Sequence, residues 1–228
     1  MKLKYFKDTI GIFPGAFDQS FCNEMIEEFQ KRKEDTVYEG FTLGGKNYKS
    51  KRTHELNLKN TGNQLYNEWV EKIEETTIRL NMRHMKKFGH LDKFNPKEVH
   101  GGDVYYPLWK IQEYKKNEGH YHAWHTEQNY TRDTSQRLMV SMFYLNDVYK
   151  GGETCFGFTD IKVKPEAGTV VTWPAGWPWV HHAEMPKSND KYIITSWLCA
   201  GWWYDLELTD EAAKGRDDGK KLNWQYGK

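Results

Sequence analysis

The sequence predicts a mainly β fold of the sandwich, jelly-roll or barrel kind, with helices packed on one sheet at its N-terminal side. Three observations lead there. Aromatic residues are abundant, with 10 Trp, 14 Tyr and 11 Phe in 228 residues, and such side chains favour strands and large cores. After Val104 the chain breaks into short apolar runs separated by Gly, Asn, Asp and Pro, the pattern of strands joined by turns. No long helical period interrupts those runs, which argues for a layered β body rather than alternating β and α units.

The predicted strands are 109–114, 138–146, 154–156, 161–163, 169–173, 181–183 and 191–197. Lys150-Gly151-Gly152 and the segment 186–190 have the composition of turns. Before them, Asp18 or Ser20 can cap a helix from Phe21 to about Arg32, with Cys22, Met25, Ile26 and Phe29 on one face. A second helix is expected from Gly62 to about Met85, although Leu65, Trp69, Ile73, Ile78 and Leu80 follow helical spacing only loosely. Tyr38 to Tyr48, with three glycines, reads as a loop or short hairpin. The organisation expected is one domain: helical support over 1–103, a β core over 104–204, and a charged extension over 205–228.

Composition excludes several functions. Formal net charge is +1, from 33 basic and 32 acidic residues, which lacks the footprint of a non-specific nucleic-acid binder. Mean hydropathy is −0.89, and no apolar run approaches the roughly 20 residues of a membrane span. The first residues carry no apolar stretch of the kind a secretory signal has. Cys22, Cys155 and Cys199 are odd in number and lack CxxC spacing, which fits a reducing, cytoplasmic setting.

The chemistry begins at His125-Thr126-Glu127. On a strand, positions i and i+2 share a face, so an imidazole and a carboxylate so spaced can grip one ion. Alone, such a tripeptide is more often a solvated edge. A second imidazole stands at His181-His182, and two histidines with one carboxylate form the facial triad that suits iron(II) and leaves sites open. Lys191 opens a strand whose alternation puts Lys191, Ile193, Thr195 and Trp197 on one face. A cation followed by small and apolar groups is a wall suited to a dicarboxylate.

Between these lies Tyr144-Leu145-Asn146-Asp147-Val148, then Gly151-Gly152-Glu153-Thr154 and Phe156, then Lys164-Pro165-Glu166-Ala167-Gly168 and an apolar strand. In that order, with the distal histidine, Pro186, Lys191 and a closing Trp, these elements resemble the prolyl 4-hydroxylase-like branch of the 2-oxoglutarate and iron(II) dioxygenase superfamily. The match covers about Trp109 to Trp202. It implies a double-stranded β-helix, or jelly roll, and an enzyme that couples decarboxylation of 2-oxoglutarate to hydroxylation of an unactivated carbon. It implies iron(II) and dioxygen as well, with ascorbate as an optional addition.

By the same resemblance His125, Glu127 and His182 match the iron ligands, and so the catalytic set. His182 is preferred to His181 on its spacing to Pro186 and Lys191; His181 would face the other side of the strand. Lys191 matches the anchor for the far carboxylate of 2-oxoglutarate, Tyr144 its supporting hydroxyl, and Tyr114 and Thr195 the pocket lining. The family more often has Asp where this chain has Glu127. Trp177 and Trp179, in the loop before the histidines, and Trp197 are candidate substrate-facing residues. A peptide or protein substrate is expected, with a free amino acid, another small molecule or a nucleobase as alternatives. A non-catalytic jelly-roll binding protein and a metal-dependent hydrolase or isomerase are the competing classes. Neither needs Lys191 beside the other three groups. His120 and His122 are expected in a loop or at a substrate rim, and Cys155 in the core. The sequence leaves the oligomeric state undetermined.

Overall fold

The computed structural model describes residues 5–7, 9–40, 42, 45–87, 103–129, 134 and 136–201. The predicted extension over 205–228 lies outside the described residues, as do Trp202 and Trp203. The elements in chain order are β1 (Tyr5–Lys7), β2 (Ile10–Phe13), α1 (Gln19–Lys31), β3 (Tyr38–Glu39), β4 (Lys51–Arg52), β5 (His54–Asn57) and α2 (Gln64–Lys87). There follow β6 (Asp103–Tyr105), β7 (Lys110–Tyr114), β8 (His120–His125), β9 (Arg137–Tyr144), β10 (Thr154–Phe156), β11 (Lys162–Val163), β12 (Val170–Pro174), β13 (His181–Ala183) and β14 (Lys191–Gly201).

Two antiparallel sheets face one another as a jelly roll. The larger runs β1-β2-β12-β9-β14-β7-β5-β3, with β6 also on β14, and the smaller runs β11-β10-β13-β8-β4. Period-two alternation divides each strand of the large sheet between two cores. Phe143 and Ile194 join Phe29, Ile73 and Trp109 beneath the helices. Met142, Tyr144 and Ile193 join Phe156, Val163 and Trp173 between the sheets. Both helices pack on the outer face of the large sheet, as expected.

The loose apolar spacing of α2 has a polar cause. Its sheet-facing stripe includes Thr77, Asn81 and His84, all buried. Asn81 Nδ2 donates to the Tyr106 hydroxyl at 2.7 Å and to Ser141 Oγ at 2.8 Å. His84 Nδ1 lies 2.6 Å from Thr172 Oγ1. A count of apolar residues alone misses a stripe in which Asn81 and His84 reach Ser141 and Thr172 of the sheet and Thr77 bonds back to the Ile73 carbonyl of its own helix.

The N-terminal part departs from the expectation of helical support. It supplies five strands, and β4 and β5 extend the small and large sheets by pairing with β8 and β7. These strands are only two to four residues long, too short to print an alternation on the sequence. The segment read as a loop or hairpin begins with β3, which pairs with β5. His120 and His122, expected in a loop or at a substrate rim, lie on β8.

The turn before β12 fixes the entry to α1. Gly168 has φ +71°, and its carbonyl oxygen accepts hydrogen bonds from the Ala16 and Phe17 amides at 2.8 and 3.2 Å. A Cβ at this position would run into the Phe17 carbonyl oxygen. Gly168→Ala is therefore expected to lower stability by about 1–3 kcal/mol, read as a lower denaturant midpoint; an unchanged midpoint would show that the turn yields freely.

Candidate active site

The inter-sheet space opens into a cavity of about 430 Å³. Its floor is built where the small sheet pairs β8 with β13. His181 stands opposite His125 in that register, and their ring centroids are 4.3 Å apart. β8 ends at His125, so Glu127 is carried by the bend that follows. That bend is pinned by the Glu127 and Gln128 amides, both 3.0 Å from the Ala175 carbonyl. The i, i+2 strand argument thus fails in detail, yet the bend delivers the carboxylate to the same place.

Glu127 Oε1 lies 3.5 Å from His125 Nε2 and 3.5 Å from His181 Nε2. Each ring uses its other nitrogen on the backbone: His125 Nδ1 is 2.8 Å from the Ala123 carbonyl, and His181 Nδ1 is 3.0 Å from the Trp179 carbonyl. With Nδ1–H donating there, each Nε2 lone pair is left bare toward the carboxylate, the tautomer a metal ligand needs. Metal–ligand bonds near 2 Å place neighbouring donors about 3–3.5 Å apart, so the three donors fit one first-row divalent ion. Two imidazoles and a carboxylate are the donor set of an iron(II) centre.

Burial alone would raise the Glu127 carboxyl, but His125 and His181, where protonated at Nε2, hold it well below the ordinary range, and a bound cation takes over that role when their lone pairs face it instead. Its second oxygen, Oε2, accepts from Arg137 Nη1 at 3.2 Å, and the same nitrogen donates to the Glu127 carbonyl at 2.9 Å. The Arg137 guanidinium lies 3.6 Å over the Trp197 ring. Arg137 thereby fixes the side chain that a longer carboxylate leaves freer to rotate.

His182 does not join this group. Strand alternation turns it to the opposite face, where its ring packs edge-on to Trp124 at 4.2 Å and its Nε2 is 3.9 Å from Glu184 Oε1. Atoms of both histidines border the cavity, but only the His181 ring meets Glu127. The preference for His182 is corrected to His181 on this geometry. The spacing argument failed because a register irregularity falls between His181 and Ala183, and sequence distance cannot count through a bulge.

Lys191, Ile193, Thr195 and Trp197 all line the cavity, as their alternation predicts. Lys191 is fully buried. Its Nζ donates to the Gly152 carbonyl at 2.8 Å and sits 4.4 Å from the centre of the Tyr114 ring. No ion pair reaches it among the described residues. Burial pulls its ammonium down to about 7, against a small opposing pull from Glu153.

Tyr114 lines the cavity, but Tyr144 stands behind the wall. Its hydroxyl is 2.9 Å from Thr154 Oγ1 and donates to the Val163 carbonyl at 3.1 Å. Thr154, given no site role from the sequence, lines the cavity itself. The other wall carries a cluster also missed. Lys51 and Lys110 hold buried Glu55 at 2.5 and 2.8 Å, and Gln112 donates to it at 2.5 Å. Burial would raise the Glu55 carboxyl, but Lys110 and Lys51 bring it down to about 2. These residues sit on β4, β5 and β7, so only the pairing of short strands brings them together.

Trp177 and Trp179 do not line the cavity. Trp177 is 81% exposed, and Trp179 is tied by its indole N–H to Thr9 Oγ1 at 2.7 Å. Neither is brought to the cavity, so their place as substrate-facing candidates draws no support from it. Trp197 does line the cavity.

Comparison with known proteins agrees with this geometry. Residues 109–199 match the model of the 2OG-Fe(II) oxygenase superfamily. Those residues are a 2OG-Fe(II) oxygenase domain. The chain is accordingly a dioxygenase, with iron(II) as cofactor and 2-oxoglutarate and dioxygen as co-substrates. No curated protein matches it in sequence.

Among solved structures it is similar to the viral collagen prolyl hydroxylase of Paramecium bursaria Chlorella virus-1, at 18% identity and a TM-score of 0.60, over 85% of this chain and 97% of that one. A Pseudomonas putida prolyl-4-hydroxylase gives 15% identity and 0.61, over 84% and 92%. A Trichoplax adhaerens prolyl hydroxylase, solved with a hypoxia inducible factor peptide fragment, gives 14% and 0.65, over 94% and 89%. At these identities the likeness is one of fold. No helix among the described residues is long and apolar enough to cross a membrane.

Proposed function

We propose that this oxygenase hydroxylates a prolyl residue of a peptide or protein, holding iron on His125, Glu127 and His181. The observation that carries the site is a single one: Glu127 Oε1 stands 3.5 Å from two imidazole nitrogens whose other nitrogens are already committed to the backbone. The same cavity holds a buried lysine that no ion pair reaches among the described residues. Bound iron(II) supplies the redox chemistry that turns 2-oxoglutarate, dioxygen and a C–H bond into succinate, carbon dioxide and a C–OH group.

The chain's own groups do the rest. Glu127 and the two imidazoles would hold the ion where they border the cavity. Lys191 pairs with the far carboxylate of 2-oxoglutarate, regaining in that contact the stabilisation that burial costs its charge. Thr154 lies on the same wall, where its hydroxyl donates to the Tyr144 oxygen behind it. Ile193, Met142 and Trp173 keep the region between them dry. Arg137 keeps Glu127 turned toward the ion. The prolyl assignment draws support from the three prolyl hydroxylases of similar fold, one of them bearing a peptide.

Three outcomes are expected. First, His181→Ala abolishes iron-dependent decay of 2-oxoglutarate measured without substrate, while His182→Ala keeps most of it; equal losses would sink the ligand assignment. Second, Lys191→Ala weakens 2-oxoglutarate binding roughly ten- to a hundredfold. In the native protein the ammonium is present below about pH 7 and lost above it. Anaerobic affinity for the dianion should therefore fall as pH rises through 7, by up to about tenfold per pH unit. A flat profile would mean that Lys191 is not the anchor. Third, a succinate assay across proline-containing peptides, free amino acids and nucleosides should respond to the peptides. Stimulation by a free amino acid alone would discard the peptide reading and keep the oxygenase.

A further inference from the structure

We propose a second divalent-metal site on the outer face of the small sheet, formed by Cys155, His182 and Glu184, for a thiophilic ion of the zinc type. Cys155 on β10 and His182 on β13 are direct cross-strand partners. Glu184 follows β13 directly, and its Oε1 lies 3.9 Å from His182 Nε2. One donor atom from each lies within 4.8 Å of the others. This is a second donor trio, separate from His125, Glu127 and His181 and on the opposite side of β13.

The chemistry of the trio selects the ion. A thiolate and a carboxylate carry two negative charges, which balance a divalent cation, and the imidazole adds a neutral donor. Thiolate, imidazole and carboxylate together are ligands that zinc accepts in a tetrahedral set, at about 2.0–2.3 Å. Binding breaks the Cys155 S–H bond; the thiolate keeps the electron pair and the proton goes to solvent. Water takes the fourth position on the side where Glu184 is 40% exposed.

Other features fit. Cys155 is a free thiol, 4% exposed and buried with the core as its sequence setting predicts. The His182 ring is not committed to the backbone as the other two are: its Nδ1 is buried and without a hydrogen bond. Trp124 covers the ring edge-on. The consequence is mechanical. β13 has three residues, with His181 facing the inter-sheet cavity and His182 facing outward, so an ion on the outer face would brace the strand that carries His181.

Cobalt(II) titration of the full-length chain tests this, because thiolate bound to cobalt(II) gives a near-ultraviolet charge-transfer band that imidazole and carboxylate do not. The native protein should take up two equivalents, one with that band. Cys155→Ser should lose the band and one equivalent. Glu184→Gln, at an exposed position neutral to folding, should weaken the band-forming equivalent by more than about tenfold, as loss of a ligand exceeds the loss of an outer partner. His125→Ala should lose the other equivalent and keep the band, which separates the two sites. Absence of the band in the native protein, its persistence in Cys155→Ser, or indifference to Glu184→Gln would each overturn the proposal.

Discussion

The pairing of β8 with β13 is the constraint on which the site depends, because it sets His181 opposite His125 and lets one bend of chain bring Glu127 between them. Side chains on a strand alternate faces, so a slip of one residue would exchange His181 for His182 and remove one of the two imidazoles from the carboxylate. Three neighbours hold the register. β10 fixes β13 from the other edge, the Gly157 amide reaches the Val180 carbonyl at 2.7 Å, and the Glu184 amide reaches the Glu153 carbonyl at 2.9 Å. A strand of three residues has little pairing energy of its own. Its position is set by what flanks it, and so is the chemistry.

The cavity wall opposite this floor obeys a different rule. A lysine without an ion pair is costly to bury, and Lys191 is fully buried. The fold meets part of that cost with the Gly152 carbonyl and the π face of Tyr114, and leaves the remainder as a lowered pKa. Glu55 shows the contrasting solution, since its charge is matched by two lysines and a glutamine amide. One buried charge is satisfied by opposite charge within the protein; the other is the one proposed to pair with 2-oxoglutarate. That difference separates a structural cluster from a binding group more sharply than burial does.

Much of the site was legible because it lies on strands long enough to alternate. Lys191, Ile193, Thr195 and Trp197 are spaced by two on β14, whose eleven residues pair on both sides and cannot slip. Tyr114 and the Gly-Gly-Glu-Thr turn were legible from motif order. The distal histidine was not, because adjacent imidazoles on a short, irregular strand leave facing undetermined until the partner strand is known. Lys51, Glu55 and Arg137 were not either. Their roles arise from pairings between residues distant in sequence, and no single segment carries a sign of them. In the helices, the buried polar stripe of α2 hid a face that apolar counting could not find.

The glutamate at position 127 shows how sequence and geometry compensate one another. Were β8 to continue through 127, the side chain would project straight along the face it shares with His125, and a longer carboxylate would overshoot the space between the rings. The strand instead stops at His125, and the Ala175 carbonyl captures two successive amides, turning the backbone away. The extra methylene then spans the distance that the bend opens, and Arg137 restrains the rotation that the methylene adds. The guanidinium is itself stacked on Trp197, so the carboxylate's orientation is tied through β9 to the final strand that also carries Lys191. The floor and the wall of the cavity are thus one mechanical unit, held through a cation that belongs to neither donor set.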